Sequence, residues 1–170
     1  MDALTLYTRN PAETIELGRS VGECVQTSDV LLLTGELGAG KTCLSGGVAA
    51  GLGLGPEVVV TSPTYNLMLA YAGGRLELYH FDLYRLESAE QLYDLDFFAY
   101  AGVMSQGVAL VEWGDKFAEV VAAADLELRL TVVGDDTRRI ELRALRQRGE
   151  ELAREVFARY MRARADYADE

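Results

Sequence analysis

The chain has 170 residues, 49% of them hydrophobic and 25% charged, and its formal net charge is −11. This composition is typical of one globular domain over residues 1–170, and the sequence contains no apolar stretch as long as a membrane span. Asp2 stands where a secretory signal would carry a positive charge, and Cys24 and Cys43 form no metal-ligand pattern, so we expect a reduced, cytoplasmic protein with no membrane partner.

The first elements predicted along the chain are a short strand at residues 4–8 and a helix. Asn10 is a typical N-cap, Pro11 suits the first helical position and Glu13 suits the third. The helix is predicted to run from Pro11 to about Thr27.

Residues 35–42 read Gly-Glu-Leu-Gly-Ala-Gly-Lys-Thr, a full match to the phosphate-binding P-loop pattern G-x-x-x-x-G-K-[ST]. An apolar, β-prone run precedes it at residues 30–34, and residues 43–52 can form the helix that should follow. Glycines let such a loop curl so that its N–H groups face a phosphate. Lys41 should then reach the β- and γ-phosphates, and the Thr42 hydroxyl should bind Mg²⁺. The predicted nucleotide-binding residues are Gly35, Glu36, Leu37, Gly38, Ala39, Gly40, Lys41, Thr42 and Cys43.

Beyond the P-loop, alternating strands and helices continue to the end of the chain. Gly73-Gly74 is typical of a hairpin turn, and Ser88 with Gln91 resembles a capping box. The predicted strands are 58–60, 65–72, 75–81, 108–111, 126–133 and 138–144. The predicted helices are 89–95, a polar helix ending near Ala122, and an arginine-rich helix at about 150–164. Together these predict an α/β fold: a P-loop NTPase-like, mainly parallel sheet flanked by helices, with antiparallel hairpin additions.

Two acids follow strands where a P-loop site needs a ligand for Mg²⁺ or its water. Asp82 ends the second hairpin arm, and Glu112 ends the apolar run 108–111. The sequence does not decide which of them binds the metal directly. Thr64, after another predicted strand, offers a hydroxyl and an N–H for sensing a γ-phosphate.

Charge is distributed unevenly along the chain. Residues 1–137 hold 7 basic and 20 acidic residues, whereas residues 138–164 hold 9 arginines and 4 acids. A strongly acidic body is a poor binder of nucleic acid on its own, because phosphates are repelled over most of its surface. The basic stretch is either a docking face or an ordinary solvated helix face.

Four motifs resemble the bacterial TsaE (YjeE) family in their order and spacing, over roughly residues 5–145. They are the P-loop (35–42), Ser-Pro-Thr-Tyr (62–65), His-Phe-Asp-Leu-Tyr-Arg-Leu (80–86) and Val-Glu-Trp-Gly (111–114). The chain departs from the family at Gly46, where a basic residue is common.

The resemblance implies an ATPase that supports synthesis of threonylcarbamoyladenosine in tRNA, at the adenosine beside the anticodon. It implies ATP or ADP and Mg²⁺ as ligands, the TsaD–TsaB transferase pair as partners, and tRNA as an indirect partner through that complex. The roles implied are phosphate and Mg²⁺ binding by Lys41 and Thr42, a switch at Thr64, an acidic pair around Mg²⁺ and water at Asp82 and Glu112, an aromatic beside the catalytic acid at Trp113, and an adenine site near Asn10 and Pro11.

Two alternative functions stay open at this stage. A small-molecule kinase would usually carry an arginine-bearing lid, and residues 86–107 contain no arginine. A nucleotide-gated binding module would bind partners differently with ATP and ADP, and its hydrolysis would be incidental.

Overall fold

The computed structural model describes residues 2–168 and folds them around one seven-stranded sheet. The strands lie in the order β1-β7-β6-β2-β5-β4-β3. Their bounds are β1 Leu4–Thr8, β2 Val30–Thr34, β3 Met68–Tyr71, β4 Glu77–Asp82, β5 Gly107–Glu112, β6 Leu126–Val132 and β7 Arg138–Ala144. The helices are α1 Pro11–Cys24, α2 Lys41–Gly51, α3 Gln91–Asp94, α4 Phe97–Tyr100, α5 Ala118–Ala123 and α6 Gln147–Ala168, with a 3₁₀ turn at Gly114–Lys116.

The P-loop strand β2 lies in the middle of the sheet, parallel to β5 on one side and to β6 on the other. β4 extends the parallel part beyond β5, whereas β1, β3 and β7 pair antiparallel. The predicted α/β fold with antiparallel additions is therefore confirmed. Because β2, β4 and β5 run in the same direction, their carboxyl ends meet at one edge, where ligands bind in such sheets.

Two apolar clusters cover the two faces of the sheet. On one face, α1, α2 and α6 pack through side chains such as Leu17, Leu44 and Val156; on the other, α3, α4 and α5 pack through Leu92 and Phe97 among others. Among the described residues no helix is both long and apolar enough to cross a bilayer.

Helices α1 and α2 approach each other through glycines, which brings their backbones into contact. A Cβ added at Gly18 would lie 2.2 Å from the Leu44 carbonyl oxygen, and one at Gly47 would lie 2.1 Å from the Ile15 carbonyl oxygen. Such distances leave no room for a side chain at either position unless the two helices move apart. The P-loop helix is therefore fixed against α1 by backbone contact.

Two predicted elements were wrong in type or extent. Residues 58–60 form no strand: the Val58 N–H is bonded to the Gly55 carbonyl at 2.9 Å in a turn, Val60 is buried, and Val59 is 73% exposed. The predicted helix 89–95 is instead a single turn, α3, and a second turn, α4, follows it after Asp96 in the left-handed conformation.

Helix ends also shifted. α1 stops at Cys24, because Val25 adopts an extended backbone, and its predicted cap is present: the Asn10 side chain accepts the Glu13 N–H. The C-terminal helix begins at Gln147, earlier than predicted, and runs to Ala168.

Candidate nucleotide-binding site

The P-loop joins β2 to α2 through three glycines with positive φ: Gly35 (142°), Gly38 (78°) and Gly40 (106°). Gly40 is the N-cap of α2 and supplies no side chain to the helix end. The Leu44 N–H is bonded to the Gly40 carbonyl at 3.0 Å, whereas the amides at the very start of a helix have no acceptor within it. These amides, with the helix dipole, form a binding position for an anion.

Lys41 is folded back over the loop. Its Nζ donates to the carbonyl oxygens of Gly35 (2.7 Å) and Glu36 (3.0 Å), and it lies 4.7 Å from the centroid of the Trp113 ring. The side chain is 7% exposed. A buried ammonium needs hydrogen-bond acceptors, and the loop carbonyls supply them here.

Asp82 and Glu112 are the last residues of β4 and β5, and they are direct partners in the parallel register. Each is only 3% exposed. Both line a cleft of about 550 Å³ together with Lys41, Thr42 and Trp113. The structure thus brings the two predicted acids to the P-loop from separate strands.

Asp82 holds the loop that contains Thr64. Its Oδ2 accepts hydrogen bonds from Ser62 Oγ (2.5 Å) and Thr64 Oγ1 (2.9 Å), while its Oδ1 accepts the Tyr84 N–H at 3.0 Å. Ser62 Oγ also lies 3.1 Å from Glu112 Oε2. One residue therefore contacts the two acids at once, and loop 62–65 is tied to the carboxylates.

Trp113 has a left-handed backbone (φ 59°), which turns its ring across the cleft instead of into the core. The ring meets Tyr84 edge-on at a centroid distance of 5.1 Å. Lys116 fixes this arrangement by donating to the carbonyl oxygens of Tyr84 (2.8 Å) and Leu86 (2.6 Å). The two aromatic side chains thus form one wall of the cleft.

Some of the predicted nucleotide-binding residues lie away from this cleft. Asn10 caps α1 and lines a separate cleft of about 290 Å³ between α1 and α6, so its adenine role stays a prediction. Gly35 and Glu36 line a neighbouring cleft of about 470 Å³ behind Trp113. Leu37, Gly38, Gly40, Thr42 and Cys43 line the P-loop cleft, and Ala39 is buried beneath it.

The donor set of the cleft fits Mg²⁺. Mg²⁺ prefers oxygen ligands, usually one or two carboxylates together with substrate phosphates. The cleft offers hydroxyls from Thr42 and Thr64 and the carboxylates of Asp82 and Glu112. The two oxygens of Glu112 differ: Oε1 is buried without a hydrogen-bond partner, whereas Oε2 lies 3.1 Å from Ser62 Oγ.

Sequence reasoning did not assign two residues that contact the site. Ser62 belongs to a quoted motif, but only its distances to Asp82 and Glu112 mark it as part of the site. Arg138, on β7, donates from Nε to the P-loop carbonyl of Ala39 at 3.0 Å. No local pattern signals a contact between residues 99 positions apart, so only the folded topology reveals it.

The chain is similar to proteins of one family. The family model described as "Threonylcarbamoyl adenosine biosynthesis protein TsaE" matches residues 8–140. The tRNA threonylcarbamoyladenosine biosynthesis protein TsaE of Treponema pallidum (strain Nichols) is 39% identical over 133 residues, which cover 78% of this chain and 95% of the relative. The protein of the same name from Bacillus subtilis (strain 168) is 37% identical, covering 92% and 95%.

A solved structure agrees with these relatives. The crystal structure of YdiB from Bacillus subtilis superposes with a TM-score of 0.73 at 33% identity, covering 92% of this chain and 95% of that one. Residues 8–140, which the family model matches, include the P-loop, Asp82, Glu112 and loop 62–65.

Proposed function

This chain belongs to the TsaE family of threonylcarbamoyl adenosine biosynthesis proteins, and from that membership we propose that it is a Mg²⁺-dependent ATPase. We propose further that it assists a transferase complex, the TsaD–TsaB pair, in threonylcarbamoylation of the tRNA adenosine beside the anticodon. tRNA is then reached through the complex.

One observation carries the ATPase proposal: two buried carboxylates, in register on β4 and β5, face the same cleft as the P-loop lysine and threonine. Phosphoryl transfer is catalysed mainly by positioning and charge stabilisation, and these four side chains are the parts it requires. Mg²⁺, when bound, would neutralise charge on the β- and γ-phosphates.

Each protein group then has a distinct task. Lys41 exchanges its loop carbonyls for phosphate oxygens, and the Thr42 hydroxyl and one carboxylate hold the cation. Glu112, the longer of the two acids that line the cleft, orients the attacking water. Thr64 senses the γ-phosphate, because Asp82 links its hydroxyl to the acidic pair.

The isolated chain should hydrolyse ATP slowly. Among the described residues that line the cleft there is no arginine, and the Arg85 guanidinium lies 4.1 Å from the Tyr65 ring centroid, stacked on that ring. An arginine finger is worth roughly 10³–10⁵ in rate, so a partner that supplies one would accelerate turnover.

The partner should dock beside the nucleotide, near Ser62–Tyr65 and Tyr84–Arg85. Three apolar side chains stand exposed there: Leu37 (91%), Tyr65 (81%) and Tyr84 (60%). Exposed aromatic groups around a cleft are typical of protein interfaces. The arginine-rich helix α6 is the competing docking site.

The test is phosphate release by wild type, Lys41→Ala and Glu112→Gln, with Glu119→Gln, an exposed acid on α5, as the matched control. We expect both cleft variants to lose turnover and the control to keep it. Wild-type activity no higher than that of the two cleft variants would refute the ATPase proposal.

Two further experiments distinguish this function from the kinase and from the nucleotide-gated binding module. Stoichiometric γ-phosphate transfer to a nucleoside or metabolite would favour a kinase. In reconstituted tRNA modification, a slowly hydrolysed ATP analogue should fail to sustain repeated cycles. Full activity with that analogue would favour the nucleotide-gated binding module.

A further inference from the structure

A buried polar contact that the proposed function does not use lies beneath Asp82 and Glu112. His80 is the only histidine in the chain; it is fully buried, and neither of its ring nitrogens has a hydrogen-bond partner. It stands on β4 two residues before Asp82, and alternation along a strand places both side chains on the same face. That face is the one packed by α1 and α2, because Leu78 on the same alternation belongs to their apolar cluster.

The acid proposed to orient water lies close to this imidazole. His80 Nε2 lies 3.6 Å from Glu112 Oε1, and that oxygen is the one buried without a partner. The gap exceeds the range of about 2.7–3.2 Å for an N–H···O bond. A small rotation of the carboxylate closes it, and buried polar groups left unpaired on both sides favour that closure.

The other carboxylate oxygen of Glu112 is held weakly. Ser62 Oγ lies 3.1 Å from Glu112 Oε2 but 2.5 Å from Asp82 Oδ2. A serine hydroxyl carries a single proton, so it can donate to only one of the two acids, and the shorter distance favours Asp82. Glu112 therefore lacks a secure donor when loop 62–65 is latched to Asp82.

We propose that His80 is a positioning residue for Glu112. Its Nε2–H donates to Glu112 Oε1 and fixes the carboxylate so that Oε2 faces the cleft, where water and the γ-phosphate meet. His80 itself touches neither nucleotide nor water. This inference rests on the proposed ATPase function for its kinetic consequence, but the hydrogen bond is a property of the folded chain.

The hydrogen bond can be observed without catalysis. Because His80 is the sole histidine, ¹⁵N-imidazole NMR of the full chain reports on this one ring. We expect a proton on Nε2, protected from exchange, whose signal shifts in Glu112→Gln and sharpens when ADP and Mg²⁺ are added. A ring protonated on Nδ1 alone, or one unaffected by Glu112→Gln, would overturn the proposal.

Kinetics supply the second readout. Partners that orient an active-site ligand typically contribute 10–100-fold, so His80→Phe should lower kcat by about that factor. The affinity for a fluorescent ADP analogue should stay unchanged, because the P-loop is untouched and Phe, although larger, keeps an aromatic ring at this buried position. His80→Gln, which restores an N–H donor near the Nε2 position, should recover part of the rate.

The matched control is Tyr79→Phe, the neighbouring residue on the opposite face of β4, whose hydroxyl donates to Glu77 Oε2 at 2.6 Å. It should leave kcat unchanged. Equal kcat in wild type and His80→Phe would refute the positioning role. If wild type itself releases no phosphate, the proposed function fails, and the NMR result still decides the hydrogen bond.

Discussion

The backbone contact at the glycines between α1 and α2 leads to a prediction about the free energy of unfolding. Gly46 and Gly47 are neighbours in α2, yet an added Cβ meets nothing within 4 Å at Gly46 and lies 2.1 Å from the Ile15 carbonyl oxygen at Gly47. Replacing glycine by alanine raises the helix propensity equally at both positions. Any difference in stability between the two variants therefore comes from packing. Gly47→Ala should destabilise the fold, and Gly46→Ala should stabilise it.

The magnitudes follow from the distances. A carbon–oxygen contact needs about 3.3 Å, so α1 must withdraw by about 1 Å to admit a methyl group at Gly47. Overpacking costs about 1–3 kcal/mol or more, and the gain in helix propensity of up to ~1 kcal/mol offsets part of this. We expect a net loss of about 2 kcal/mol for Gly47→Ala and a gain of up to ~1 kcal/mol for Gly46→Ala.

Urea and thermal unfolding measure both changes. For a chain of this length 1 kcal/mol corresponds to about 2–4 °C, so Tm should fall by roughly 4–8 °C in Gly47→Ala and rise by roughly 2–4 °C in Gly46→Ala. Equal Tm values for the two variants would refute the argument from backbone contact. A fall in Gly46→Ala would show instead that the outer face of α2 is more crowded than its distances indicate.

Three other outcomes follow. Arg148→Met should cost about 3 kcal/mol in urea unfolding, because Arg148 bonds both carboxylate oxygens of buried Asp29, whereas exposed Arg162→Met should cost little. Burial and, to a smaller extent, the charge of Glu13 raise the pKa of Tyr160 to about 12. The stability that its neutral form contributes is complete below pH 10 and is lost as pH rises to 12, so the free energy of unfolding should fall less over this range in Tyr160→Phe. In filter binding at physiological salt the chain alone should hold tRNA weakly, and tight binding would contradict docking through the transferase pair.

Local patterns predicted much of this fold because the residues that decide each element lie close together in sequence. The cap at Asn10 and Pro11, the P-loop glycines and the apolar run before Glu112 act within a few positions. The prediction for residues 58–60 was wrong because three valines favour a strand, but a strand also needs a partner, and β4 is already paired with β5 and β3. Strand pairing is decided across the whole chain, so no local window contains it.

The site was predictable as a set of residues but not as a network. Motifs identified Lys41, Asp82 and Glu112, because each ends or follows a strand at the ligand edge. The donor shared between the acids at Ser62, and the unpaired imidazole of His80 beneath them, depend on distances across β4 and β5. Both residues stand in motifs of the family, but a motif does not show which atoms its side chains contact.

The central place of β2 has a consequence for synthesis of the chain. Val30 pairs with Ala109 and Leu31 pairs with Leu126, partners 79 and 95 positions later. At about 5–20 residues per second, the ribosome exposes the P-loop strand for several seconds before either neighbour exists. Both edges of an apolar strand are then open to other chains. Nascent chains that end before residue 107, where β5 begins, should thus be targets for chaperones.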